Sequence, residues 1–140
     1  MSENEKEEKK GSSGESTFTL NIKEDAEIFL EFLSESHDHL EDSENKILSI
    51  EEGTCDHELI NAIFRSIHSI KGSAGFLGLN DMQRLSHELE TLLDKARKGE
   101  INITKEIISL CLESIDVLRT LRDNLAIKVD NVLGKAAGSI

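Results

Sequence analysis

Proline and tryptophan are absent from this chain of 140 residues, and only 37% of it is hydrophobic. No residue is therefore obliged to break a helix, and the apolar content suits one helical domain with a modest core and flexible ends. Only two cysteines occur. Cys55 falls in a loop and Cys111 on an apolar helix face, with no paired metal spacing, so both read as reduced thiols of a cytoplasmic protein. No apolar run approaches the roughly 20 residues of a membrane span, and the polar, acidic start is no secretory signal, so membrane insertion is not expected. Positive charge is scarce too. The 16 Lys and Arg stand against 28 Asp and Glu, a formal net charge of -12, which argues against nucleic acid and against an anionic membrane surface as partners. A Walker-type glycine loop is missing, as are other glycine-rich nucleotide-binding boxes, so the domain is expected to bind no nucleotide of its own.

What the sequence does contain is helical periodicity. Residues 1–17 mix Glu, Lys, Ser and Gly, can bury almost nothing, and are expected to be disordered. From about Lys23 to Ile50, Ala26, Phe29, Leu30, Leu33, Leu40, Ile47 and Leu48 recur at helical spacing and predict a first helix, ended by Gly53. A second is predicted from about Asp56 to Leu77, its apolar stripe made of Ile60, Ile63, Ile67, Ile70, Ala74 and Leu77. Gly78, Leu79 and Asn80 form a turn, with Asn80 or Asp81 as N-cap. The third helix then runs to Lys98, burying Met82, Leu85, Leu89, Leu92, Leu93 and Ala96 and stopping at Gly99. Thr104 is placed to cap a fourth helix to about Leu125, with Ile108, Cys111, Ile115 and Leu118 inward. Four amphipathic helices on short links imply an all-α, antiparallel up-and-down four-helix bundle over residues 18–125. Residues 126–140 hold Ile127, Val129, Val132 and Leu133, enough for a short fifth C-terminal helix before a Gly-rich linker.

Within the second helix, the run Phe64-Arg65-Ser66-Ile67-His68-Ser69-Ile70-Lys71-Gly72-Ser73-Ala74-Gly75 sets an imidazole beside a lysine at i+3 and a glycine at i+4. At about 100° per residue His68 falls roughly 130° from the centre of the apolar stripe, so it faces water. Lys71 and Gly72 lie one turn on, on the same side. A neutral imidazole is a good nitrogen nucleophile, and a neighbouring ammonium disfavours its protonation and attracts phosphate. Gly72 and Gly75 each cost the helix up to about 1 kcal/mol against alanine, a cost that close approach of another protein to His68 would offset. Taken alone, the run reads equally well as a solvated histidine beside two incidental glycines.

These residues, continued by His87-Glu88-Leu89-Glu90 and Leu92-Leu93-Asp94-Lys95-Ala96-Arg97-Lys98-Gly99-Glu100, resemble a histidine phosphotransfer (HPt) domain, in detail the N-terminal domain of CheA-type chemotaxis histidine kinases. The resemblance runs from about Phe18 to Leu125. It implies that His68 is the phosphorylated residue and that Glu90, Lys71 and His87 form a hydrogen-bonded cluster around it. The chemistry agrees, since a carboxylate accepting the proton of Nδ1 fixes the tautomer that leaves Nε2 as nucleophile. The implied partners are a histidine-kinase catalytic domain, in cis or in trans, and the receiver domain of a response regulator. ATP and Mg²⁺ would be used by those partners, and no cofactor is expected in this domain.

Two local clusters, His37-Asp38-His39 and Cys55-Asp56-His57, invite a metal reading. Zinc needs three or four convergent ligands and nothing in the spacing makes these converge, so no metal is expected. The function expected is that of a phosphoryl carrier, as a kinase fragment or as a stand-alone relay. Its rival is a non-catalytic helical adaptor that docks partners on the Gly72 face without phosphate.

Overall fold

The computed structural model describes residues 21–50 and 56–136, the side chains of the last two excepted. The expected tail 1–17, the Gly53 stop, Cys55 and the chain beyond residue 136 lie outside them. Four helices follow in order: α1 (Ala26–Ser49), α2 (His57–Phe76), α3 (Asn80–Arg97) and α4 (Lys105–Ala136). Each packs on its neighbours in the chain and α1 closes on α4, while the backbones of the two diagonal pairs stay apart. Cross-helix pairs give the directions. His68 meets Glu90 and Gly75 meets Gln83 between α2 and α3; Glu44 meets Arg119 and Leu33 meets Arg122 between α1 and α4. As one number rises the other falls, so both pairs run antiparallel, and the expected up-and-down bundle is what forms.

Local chemistry places the ends. Asp56 caps α2, its carboxylate accepting from the Leu59 amide at 3.1 Å, and Thr104 Oγ1 accepts from Ile107 at the head of α4. The two glycines of positive φ, Gly78 at 75° and Gly99 at 77°, follow α2 and α3. There Leu79 donates to Ala74 O and Glu100 to Lys95 O, the six-to-one closure of a Schellman turn. That turn is so short that α3 begins at Asn80, and neither Asn80 nor Asp81 is the N-cap. Leu79 holds the position and, having no polar side-chain atom, supplies no side-chain cap; its side chain packs against the core.

The core is one long cluster closed at the far end by Ile60, Ala96 and Ile103. The predicted stripe of α2 is buried throughout. In α1 the inward set is instead Phe29, Phe32, Leu33, Ser36, Leu40, Ser43 and Ile47, while Leu30 and Leu48 are exposed. The expected break after Leu125 is absent. α4 runs unbroken to Ala136 and no separate fifth helix forms among the described residues, because Leu125 and Val129 continue the buried stripe of Cys111, Ile115 and Leu118. Arg122 joins that face to α1, donating Nε–H to Leu33 O at 2.9 Å.

Candidate functional site

His68 sits halfway along α2 with its side chain 62% exposed, and Glu90 faces it from α3 with only 9% exposed. The Nδ1–H of His68 donates to Glu90 Oε2. Lys71, one turn further along α2, donates from Nζ to the other oxygen, Oε1, at 2.5 Å. Each carboxylate oxygen is thus held by a different group. Burial between the helices works to raise the Glu90 pKa, but hydrogen bonds from Lys71 and His68, with their charges, outweigh it and hold the carboxyl below its ordinary value. Glu90 is therefore ionised at neutral pH and acts as an acceptor only. Its partner must be the Nδ1–H tautomer of a neutral imidazole or the imidazolium. In the neutral form Nε2 carries the lone pair, and it has no hydrogen-bond partner among the described residues.

Of the four residues expected to form the cluster, three meet directly. His87 is peripheral: its Nδ1 stands 3.8 Å from Glu90 Oε1 and its side chain is 64% exposed, which is ion-pair range and beyond a hydrogen bond. The two glycines differ. A β-carbon on Gly72 would meet nothing within 4 Å, whereas one on Gly75 would come 2.6 Å from Gln83 Nε2 on α3. Gly72 floors a groove of about 240 Å³ between α1 and α2, with Phe32 and Phe76 among its walls; Gly75 faces the α2–α3 seam.

Two residues beside the site carried no signal of their own in the sequence. The Phe64 ring lies parallel to the His68 imidazole, 8° between planes and 6.1 Å between centroids. Arg97 covers Phe64, its Cζ 4.1 Å from the ring centroid. Phe64 precedes His68 by one helical turn and so shares its side, but Arg97 comes to it only through the antiparallel register of α2 and α3. The buried thiol of Cys111 is pushed up to about 11 by desolvation and takes no part. Among the described residues no group of three His, Cys, Asp or Glu is placed to hold a metal ion, and His37 pairs instead with Glu41 at 3.4 Å. No helix among them is long and apolar enough to cross a membrane.

Known proteins are similar to this chain in sequence and in fold. The chain is 43% identical over 95 residues to a protein named Sensor histidine kinase CheAY from Helicobacter pylori, covering 68% of this chain and 12% of that one. It is 39% identical over 98 residues to Chemotaxis protein CheA from Salmonella typhimurium, covering 70% and 15%. The match thus spans less than a sixth of either relative. Among solved structures, the CheA phosphotransferase domain from Thermotoga maritima superposes with a TM-score of 0.67 at 35% identity, covering 71% of this chain and 95% of that domain. The family model for the Hpt domain matches residues 27–126, which takes in His68, Lys71 and Glu90, all of α2 and α3, nearly all of α1 and the first two thirds of α4, and the chain belongs to the Hpt domain family.

Proposed function

We propose that this domain is a phosphoryl carrier of chemotaxis-type two-component signalling: His68 accepts a phosphoryl group from ATP held by a kinase catalytic domain, in cis or in trans, and passes it to an aspartate of a receiver domain. The observation that carries the reading is the Nδ1 contact to Glu90, which leaves Nε2 as the free nitrogen of an exposed ring. In the first transfer the Nε2 lone pair forms the bond to the γ-phosphorus as the bond to the ADP oxygen breaks. No proton leaves Nε2, since it carries none. The ring becomes cationic while Nδ1–H stays on Glu90, so the carboxylate stabilises charge that develops as the bond forms. In the second transfer an aspartate oxygen attacks phosphorus, the phosphorus–nitrogen bond breaks, and its electron pair returns to Nε2. Mg²⁺ bound by the receiver neutralises charge on the moving group.

Lys71 contributes by occupying Oε1, which turns Oε2 to the ring. The open floor at Gly72 gives a receiver room to bring its carboxylate to Nε2. The domain itself performs no ATP chemistry in this reading. Incubation with the matching kinase domain and radiolabelled ATP should label the chain on a phosphorus–nitrogen bond that is acid-labile and base-stable. His68→Gln should abolish the label. Label at the wild-type level in that variant would refute the assignment, and partner binding that proceeds with no phosphate on either protein would favour the adaptor instead.

A further inference from the structure

The contact to Glu90 fixes one atom of the His68 ring and leaves its plane loosely defined. A hydrogen bond stays favourable down to about 150° at the donor, so a ring tilt of about 30° is tolerated, and across an imidazole that moves Nε2 by about 1 Å. Transfer to phosphorus is less forgiving, since a misplacement of about 1 Å can cost about a hundredfold in rate. Something besides Glu90 must hold the plane if His68 is a good nucleophile.

Phe64 is positioned to do so. Its ring and the imidazole lie within 8° of parallel at 6.1 Å, inside the range of offset aromatic stacking, and the two side chains rise from successive turns of one rigid helix. A parallel, offset ring beside the imidazole opposes the tilt that the hydrogen bond permits. Phe64 is in turn held from outside α2. Arg97 of α3 lies over it in cation–π range, and Asp94 holds Arg97 through Oδ1 while accepting Lys98 Nζ on Oδ2 at 3.0 Å. Hydrogen bonds from Lys98 and Arg97 keep the Asp94 carboxyl below its ordinary range, so this anchor stays charged. α3 therefore bears on the imidazole twice, directly through Glu90 and indirectly through Arg97, which covers the offset ring of Phe64 on α2.

We infer that Phe64, braced by Arg97, is a positioning residue that sets the plane of the His68 imidazole and hence the line along which Nε2 meets phosphorus. This rests on the carrier reading. The test uses the whole chain as substrate for the matching kinase domain in trans, with kcat and KM measured separately. Phe64→Leu, which keeps apolar bulk but not the flat face, should lower kcat about tenfold with KM within twofold of wild type. Phe64→Tyr should restore the rate, and Arg97→Met should lower kcat about threefold. In NMR spectra of the unphosphorylated chain, Phe64→Leu should remove the ring-current displacement of the His68 ring protons while the ¹⁵N shifts still report Nδ1–H.

An unchanged kcat in Phe64→Leu overturns the inference. So does a raised KM at unchanged kcat, which makes Phe64 a docking contact, or equal impairment of Leu and Tyr, which makes it a packing residue. Should Phe64→Leu fail to fold, Arg97→Met decides in its place, and a wild-type kcat there overturns the inference. A wild-type chain that takes no label, or a His68→Gln chain that keeps it, sinks the carrier reading itself and this inference with it.

Discussion

At the scale of single residues the proposed function divides the labour between one nucleophile, His68, and the groups that aim it, and that division sets what each substitution should do. Glu90 makes a hydrogen bond between charged partners, worth about 1.5–3 kcal/mol, so Glu90→Ala should slow phosphorylation roughly ten- to a hundredfold without removing the nucleophile; Lys71→Ala, which frees Oε1, falls on the same scale. Acid provides an independent check. The Glu90 pKa is depressed in the fold, so the stability that its charge contributes is complete above the ordinary carboxylate value of about 4.3 and is lost as pH falls through the lower folded value. Denaturant titrations of wild type and Glu90→Gln should therefore show a gap that narrows as pH falls below the ordinary carboxylate value and through the lower folded one. A gap that does not narrow through the carboxylate range would show that the charge of Glu90 contributes no stability to the fold. The cluster was legible in the sequence through two different signals. The exposure of His68 follows from helical geometry alone, but the role of Glu90 came from family resemblance, because nothing local distinguishes it from Glu88 two residues earlier. Phe64 was visible as part of the motif and not as a participant. Its stacking depends on where α3 brings Arg97.

Elements were legible wherever apolar side chains mark the buried face, and least so where small polar ones do. The α2 stripe needed no correction, since every inward position carries an aliphatic residue or Ala74 apart from Ser66 at its edge. In α1 the inward positions 36 and 43 are serines, which hydropathy assigns to solvent. Ser36 bonds back to Phe32 O at 2.6 Å, so its hydroxyl is satisfied without leaving the helix. With those two positions unmarked, Leu30 and Leu48 appeared to complete the stripe, although each lies about 100° from its true member, Phe29 or Ile47. The glycines of α2 show the complementary effect, since sequence treats them alike and packing separates them. Gly72→Leu puts bulk where the fold has open space and gains up to about 1 kcal/mol of helix propensity. Its melting temperature should equal or exceed that of wild type while transfer from phosphorylated His68 to the receiver falls steeply. If the variant instead unfolds, the residue serves packing and the docking role is wrong; if transfer proceeds at the wild-type rate, the receiver does not approach over this face.

Across the whole molecule the chemistry and the stability are unevenly shared. The site lies between α2 and α3, the pair with the most extensive mutual packing, whereas α4 touches α3 more sparingly and leans on α1. At 1.5 Å per residue the 32 residues of α4 extend about 48 Å against about 27 Å for the 18 of α3, so the last turns of α4 are supported by fewer neighbours than its middle. The sequence showed Val129 and Leu133 at four-residue intervals beyond Leu125, and a reading that followed the stripe instead of the polar residues between would have continued the helix. Those turns do bury apolar surface. Val129 is buried and Leu133 packs partly against the main cluster, which together are worth about 2–4 kcal/mol as an upper estimate. Neither contacts His68, Glu90 or Lys71, and effects at separated sites add. A chain stopped after Ala126 should accordingly lose about 2–4 kcal/mol in denaturant titration and melt roughly 10 °C lower, yet accept phosphate from the kinase domain with a kcat within twofold of the full chain at a temperature where both are folded. Undiminished stability would mean that residues 127–136 ride on the bundle without joining its core. A tenfold loss of kcat in a folded truncated chain would mean that the far end of α4 helps hold the α2–α3 seam in register, and the separation of stability from chemistry would have to be abandoned.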